Sequence, residues 1–432
     1  MTERIAVRFA GGRGGECQLS WGQTAIWRAI QRLVPDDASL NMSWVTAVED
    51  EGVATRVPVE RVTGTVAHVM ARHESLRTNV RDGRQVVARE GVIEAHLVDA
   101  APHRAAQEAR ELQHRLTAPA FDYANEWPLR VGMVRAGGVV THAVFVICHL
   151  VTDRGGLDTL VGDVLAGLAG TPSQEPPDRQ PYDLAVHQAS AQGRRQSAKA
   201  LRYWERHLGA VPKRRFHETG ASPRFTSATL SSPAGDLAVS ALAEREAVSG
   251  STVILAAAAL QLARQTAARE AVLQVIVSNR FRPGLAGSVG PASQDGLCVV
   301  EVGDAGLPTV IRRTAQASMQ AYLHAQYDPE DLDKLLADSD VDLSCSFNDR
   351  RFDAQTEPGP ATAGIAAALG ATTLRWEPVE HYGARYFLHV NAVPRVLDLT
   401  LYADVSVFPE TAVEAHLRGI EALLVAEALQ SA

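Results

Sequence analysis

Residues 144–148 (Val-Phe-Val-Ile-Cys) form an apolar, β-branched run, the pattern of a buried strand. The run breaks at His149 into a polar turn that also holds Asp153, Arg154, Gly155 and Gly156. Apolar residues then return at helical spacing (Leu157, Leu160, Val161, Val164, Leu165, Leu168), which predicts a helix. A rigid strand, a loop carrying an imidazole and a helix together aim a side chain from a fixed base.

The same two periods organise the rest of the chain. They predict strands over 4–9, 43–48, 130–135 and 139–148, a strand pair over 84–88 and 93–98, and helices over 21–33, 58–72 and 103–116. Ser20 and Gln23 stand at capping-box spacing ahead of the first helix. The second half reads as a charged helix over 194–208 with Leu201, Trp204 and Leu208 inward, and an Ala/Leu-rich helix over 250–267. Strands follow over 271–277 and 297–302, then a helix over 308–325, strands over 341–347, 372–376, 386–391 and 396–402, and a closing helix over 409–429. The proline-rich stretch 170–178 reads as a linker, dividing the chain into 1–170 and 182–432 around residues 171–181. The fold class expected is α+β in both parts.

Composition narrows the function. A chain of 432 residues with 46% hydrophobic and 21% charged positions exceeds one ordinary core. Its formal charge of -8 argues against nucleic acid as a partner and gives no pull towards an anionic membrane. The four cysteines (Cys17, Cys148, Cys298, Cys345) make no CxxC pair, so buried thiols are expected and no metal site. With no apolar leader and no run of 18 apolar residues, the expected location is the cytoplasm. The segment from Asn279 to Gly284, with Gly287 and Gly290, lacks GxGxxG spacing and a following helix, which excludes a dinucleotide site.

Several stretches, in order, resemble the condensation domains of nonribosomal peptide synthetases, within the chloramphenicol-acetyltransferase-like acyltransferases. The family's HHxxxDG signature reads here Cys148-His149-Leu150-Val151-Thr152-Asp153-Arg154: the second His and the Asp match, while Cys and Arg replace the first His and the Gly. Leu19-Ser20-Trp21-Gly22-Gln23 with Trp27 resembles the opening segment, and Arg72-His73-Glu74-Ser75-Leu76-Arg77-Thr78 fits RHExLRT. Tyr182 to Val186, Leu201 to Leu208 with Pro212, Tyr327 to Glu330 and Ser346-Phe347-Asn348 resemble further family segments.

The resemblance implies two acyltransferase-like lobes in a V-shaped pseudodimer, with His149 at the seam and a floor loop and latch in the second lobe. It implies a stand-alone condensation enzyme joining a carrier-protein-bound acyl or aminoacyl thioester to an amine, a second carrier-bound substrate or a hydroxyl. No cofactor is expected on the chain itself, the phosphopantetheine arm coming with a peptidyl or acyl carrier protein. His149 is the expected base or positioning group, Gly156 an oxyanion donor, and Asn348 a donor to the intermediate or a group that fixes an acceptor amine. Asp153 is expected to pair with Arg77 and, with Cys148 facing the core, to support the site. Arg154, Gly155, Ser20 and Ser346 are the expected channel residues. If the position of Arg154 demanded a positive φ, the arginine there would be strained. The two departures keep a non-catalytic scaffold open as an alternative, and a coenzyme A-dependent acyltransferase is a third reading.

Overall fold

The computed structural model describes residues 2–47, 57–209, 211, 213–214, 216, 224–337, 339–351, 364–379 and 384–430. Residue 48 of the expected strand over 43–48, and Pro212, lie outside them. The chain forms two compact units, Met1–Arg195 with Ser278–Ser293, and Gln196–Val277 with Gln294–Ala432.

The first unit is built on a five-stranded sheet in the order Thr2–Ala10, Glu90–Asp99, Leu129–Ala136, Val139–Cys148, Asn41–Ala47. Only the Glu90–Asp99 and Leu129–Ala136 pair is parallel. Residues 143–148 of Val139–Cys148 are all buried, as a central strand covered on both faces requires. Helices Val59–Arg72, Ala105–Thr117 and Arg154–Ala169 complete this core through Val62, Val66, Met70, Leu112, Leu160 and Val164. Arg72 and His73 both reach Asp163, at 2.9 and 2.7 Å, and so tie the first of these helices to the third. Burial lowers the His73 pKa, and the bonds from His73 first and Arg72 second hold the Asp163 carboxyl below its ordinary value against burial.

Strands 84–88 and 93–98 do not pair with one another as expected. Arg84–Val87 joins Thr78–Arg81 and Gly15–Gln18 in a separate three-stranded sheet, and Glu90–Asp99 joins the main one. The hairpin turn is Asp82–Gly83, with φ of 51° and 72°, the left-handed pair that a two-residue turn needs. The Ala88–Arg89 link has no such chemistry.

The domain boundary is also displaced. Residues 171–181 lie inside the first unit, and the division falls at 195/196 within helix Ala191–Leu208. Side chains at the end of this stretch and just beyond it explain this: Gln180 bonds the Arg72 carbonyl and the Glu74 amide, Asp183 accepts from Arg13, and Gln188 accepts from the Trp21 amide.

The second unit holds a seven-stranded sheet in the order Gln294–Glu301, Glu270–Val277, Cys345–Asp349, Tyr386–Asn391, Leu397–Asp404, Phe225–Ser232, Thr373–Pro378. Helices Pro233–Glu246, Gly250–Thr266, Leu307–Leu323 and Glu410–Leu429 bury their apolar residues in its main core. Helix Ala191–Leu208 packs elsewhere, with Tyr203 and Trp204 against Val272, Leu297, Tyr327 and Leu332. Among the described residues no single helix is long and apolar enough to cross a membrane.

Candidate active site

His149 opens a short 3-10 turn, His149–Val151, at the end of the buried strand Val139–Cys148. Its ring is half-buried, and Nδ1 lies 2.8 Å from the Thr152 carbonyl. A carbonyl oxygen only accepts, so Nδ1 carries the hydrogen and the neutral imidazole keeps its lone pair on Nε2. The backbone thus fixes both the tautomer and the ring orientation.

Asp153 caps helix Arg154–Ala169, its Oδ1 accepting from the Gly156 amide at 2.9 Å. The helix therefore starts three residues before the apolar spacing suggests. Oδ1 also accepts from Arg280 Nη2 at 2.5 Å, and Oδ2 accepts from the Ala292 amide, the Ser293 amide and Ser293 Oγ at 2.9, 2.9 and 2.8 Å. Burial alone would raise the Asp153 pKa. The Arg280 charge and these hydrogen bonds outweigh it and hold the carboxyl below its ordinary value.

The expected Asp153–Arg77 pair is therefore corrected: the partner is Arg280. Arg77 is buried elsewhere in the same unit, where Nη1 donates to the carbonyls of Arg13 and Ala88, both at 2.5 Å, and Nη2 faces Glu74 at 3.8 Å. Glu74 in turn takes a two-pronged bond from Arg13 at 2.9 and 2.7 Å. These residues line a cavity of about 470 Å³ with Gly11, Gln180 and Asp183.

Arg280 also organises its own loop, donating to the carbonyls of Leu285, Ser288 and Gly290 at 3.0, 2.6 and 3.0 Å. Its stem crosses the start of helix Arg154–Ala169. A Cβ on Gly155 would sit 2.3 Å from Arg280 Nε, and one on Gly156 would sit 2.4 Å from Thr152 Oγ1 and 2.9 Å from Arg280 Nη2. Both glycines are thus demanded by this close approach. The Gly156 N–H is committed to Asp153, which corrects its expected role as an oxyanion donor. On its Cβ side Gly155 faces the Arg280 stem, not a channel.

Three other expectations are resolved by local geometry. Arg154 is the first helical residue with no positive φ, so the feared strain is absent; its side chain pairs with Asp158 at 3.0 Å and is 55% exposed. Cys148 is buried, accepts weakly from the Leu150 amide at 3.4 Å, and burial pushes its thiol up to about 12. Ser20 is buried as well: its Oγ accepts from the Gln23 amide while Gln23 Oε1 accepts from the Ser20 amide, so its hydroxyl caps a helix and does not line a channel.

Ser346 and Asn348 belong to the second unit, on strand Cys345–Asp349. Cys345 and Phe347 point into the core, so Ser346 and Asn348 share the opposite, half-buried face. Among the described residues no hydrogen bond holds the Asn348 amide. No group of three or more His, Cys, Asp or Glu side chains among the described residues is placed to hold a metal.

The structure brings together His149, Asp153, Gly155 and Gly156 with Arg280 and Ser293. The last two were missed by sequence reasoning. An arginine directly after a strand, at the head of a Gly/Pro-rich loop, was the available signal for Arg280.

The condensation-domain family model matches residues 15–430. Among curated proteins, the chain is 28% identical over 411 residues to the AMB antimetabolite synthetase AmbB of Pseudomonas aeruginosa, covering 90% of this chain and 30% of that protein. It is 26% identical over 317 residues to the isonitrile lipopeptide synthase of Mycobacterium tuberculosis, covering 67% of this chain and 12% of that protein. The chain thus spans less than a third of the length of these relatives. Among solved structures, a condensation domain mediating chain release from the enacyloxin polyketide synthase superposes with a TM-score of 0.74 at 17% identity, covering 96% of this chain and 83% of that one. The X-domain bound to OxyB from teicoplanin biosynthesis gives 0.70 at 19% identity, covering 98% and 95%. The two units are the two chloramphenicol-acetyltransferase-like lobes of that fold.

Proposed function

Because the chain belongs to the condensation-domain family, we propose that it transfers an acyl or aminoacyl group from a carrier-protein thioester to an amine, with His149 handling the proton. The observation that carries this reading is the bond from His149 Nδ1 to the Thr152 carbonyl, which leaves Nε2 as an acceptor on a half-buried ring. As the amine nitrogen attacks the thioester carbon, a C–N bond forms and the C–S bond breaks. The proton leaving nitrogen passes to Nε2 and on to the departing sulfur. Base assistance of this kind is worth about 10²–10⁴ in rate, and orienting the two reactants contributes as much or more.

Asp153 does not take part in the proton transfer on this reading. It fixes the loop that carries His149 through its bonds to Gly156, Arg280, Ala292 and Ser293. The thioester arm comes with the partner, and a hydroxyl acceptor giving an ester is the lesser variant.

A second reading, recruitment of partner proteins without catalysis, is favoured by two observations: Cys148 and Arg154 replace two signature residues, and a similar fold is seen in an X-domain bound to OxyB. A single-turnover assay with acyl-loaded carrier protein and a panel of amines separates the two, run on the wild type and His149→Ala. Product that falls about 100-fold or more in the variant supports catalysis through His149. Carrier binding without product supports recruitment, and equal turnover of a coenzyme A thioester makes the carrier dispensable.

A further inference from the structure

Helix Ala191–Leu208 carries a charge pattern that its own stability does not explain. Its inner face is fixed by Ala200, Tyr203, Trp204 and Leu208, all buried. Its outer face presents Arg195, Lys199, Arg202 and Arg206, spaced four, three and four residues apart and therefore in one stripe. All four are exposed, and among the described residues none has an ion pair. Glu205 is the one carboxylate in the helix.

Arg206 in the last turn complements the macrodipole, but the rest of the pattern works against the helix. Arg194 stands in the first turn, at the positive end of the macrodipole, with Arg195 directly after it and no acidic residue in that turn. Arg195 with Lys199, and Arg202 with Arg206, are like charges one turn apart, which also destabilises.

A second feature adjoins the stripe. His324, next after helix Leu307–Leu323, stacks on Tyr203 with centroids 4.4 Å apart and planes at 4°, and His207 packs on the same ring at 4.1 Å. Burial first, and then the Lys199, His207 and Arg206 charges, lower the His324 pKa, so the cations lie close by. On the helix that ends there, Met319 and Leu323, one turn apart, are 59% and 52% exposed.

We propose that the Arg195, Lys199, Arg202 and Arg206 stripe, together with the exposed Met319 and Leu323 of the helix leading to His324, docks an acidic amphipathic helix of a partner protein. The stripe is a single row about 16 Å long at 1.5 Å per residue, the footprint of one helix with carboxylates at the same spacing. The exposed Met319 and Leu323 suit an apolar edge on such a helix. A chain of net charge -8 offers no broad positive field to a nucleic acid duplex. The inference is independent of the acyl-transfer reading.

The test uses a fluorescent 18-residue alanine-based helical peptide with glutamates at i, i+4, i+7 and i+11 and a leucine edge, its glutamine counterpart, and a short RNA duplex. Binding is read by anisotropy on the wild type and on Lys199→Glu/Arg202→Glu. The glutamate peptide should bind at about 50 mM salt, weaken at about 300 mM, and lose at least about 10-fold with the double variant. The thermal midpoint of that variant should hold or rise, since the reversal relieves repulsion. Absent binding, equal binding of the glutamine peptide, indifference to the reversal, or tighter binding of the duplex each overturns the proposal. So does a midpoint that falls by several degrees, which would make the cations a requirement of the fold.

Discussion

Asp153 meets Arg280 at 2.5 Å, with side chains only 6% and 11% exposed. The pair joins the loop carrying His149 to the segment 278–293. Removing one partner of a buried pair leaves an uncompensated charge, at a cost of about 3–5 kcal/mol. Asp153→Asn and Arg280→Met should each lose that much in urea unfolding, and the double variant should lose clearly less than the sum. Equal additivity would show that the two do not act together. The pH dependence has a definite sign. The folded carboxyl binds its proton more weakly than the unfolded chain, so its contribution is complete above the unfolded value of about 3.9 and is lost as pH falls below that through the folded value. Asp153→Asn should flatten this acid limb.

Arg77 supplies the matching control. It shares no partner with Asp153, so the losses in Arg77→Ala and Asp153→Asn should add within about 0.3–0.5 kcal/mol. A coupling above about 1 kcal/mol would restore the pairing that the family resemblance implies.

Two glycines in one helix should respond in opposite directions. Gly162 is exposed in Arg154–Ala169 with nothing within 4 Å of an added Cβ, so Gly162→Ala should stabilise by about 0.5–1 kcal/mol. Gly155→Ala would strike the Arg280 stem at 2.3–2.5 Å and should destabilise instead. It should also slow the proposed acyl transfer, through the loop that holds His149. Two stabilised variants would mean that Arg280 moves aside freely.

Much of this was legible along the chain, for reasons visible in particular residues. The run at 144–148, the periodic Val62, Val66, Val69 and Met70, and Leu160, Val164 and Leu168 announce burial directly, because side-chain direction repeats every two or 3.6 residues, although Leu165 of the same helix turns to the surface. The capping box at Ser20 and Gln23 is local and was equally readable. The strand Phe225–Ser232 was not, since its Ser, Thr and Ala residues are buried between two neighbours without alternation. The partner of Asp153 lies 127 residues away, a pairing set by the tertiary fold and by no local pattern. Family likeness put the wrong arginine there; the five hydrogen bonds around the carboxylate identify the right one.

Cys148 gives the last prediction. It stands directly before His149, and a thiol beside an imidazole invites the reading of a nucleophilic dyad. Three facts oppose it: the thiol is 1% exposed, its sulfur is turned to the Leu150 amide, and burial drives its pKa up to about 12. A thiolate is the reactive form, and at neutral pH essentially none exists here. Iodoacetamide should therefore leave the proposed acyl transfer intact, with no adduct on Cys148 in the native protein by mass spectrometry. Cys148→Ala should retain full single-turnover rate while losing about 1 kcal/mol of stability to the small cavity it opens. Loss of turnover in a Cys148→Ala protein that remains folded would move the chemistry from His149 alone to the pair.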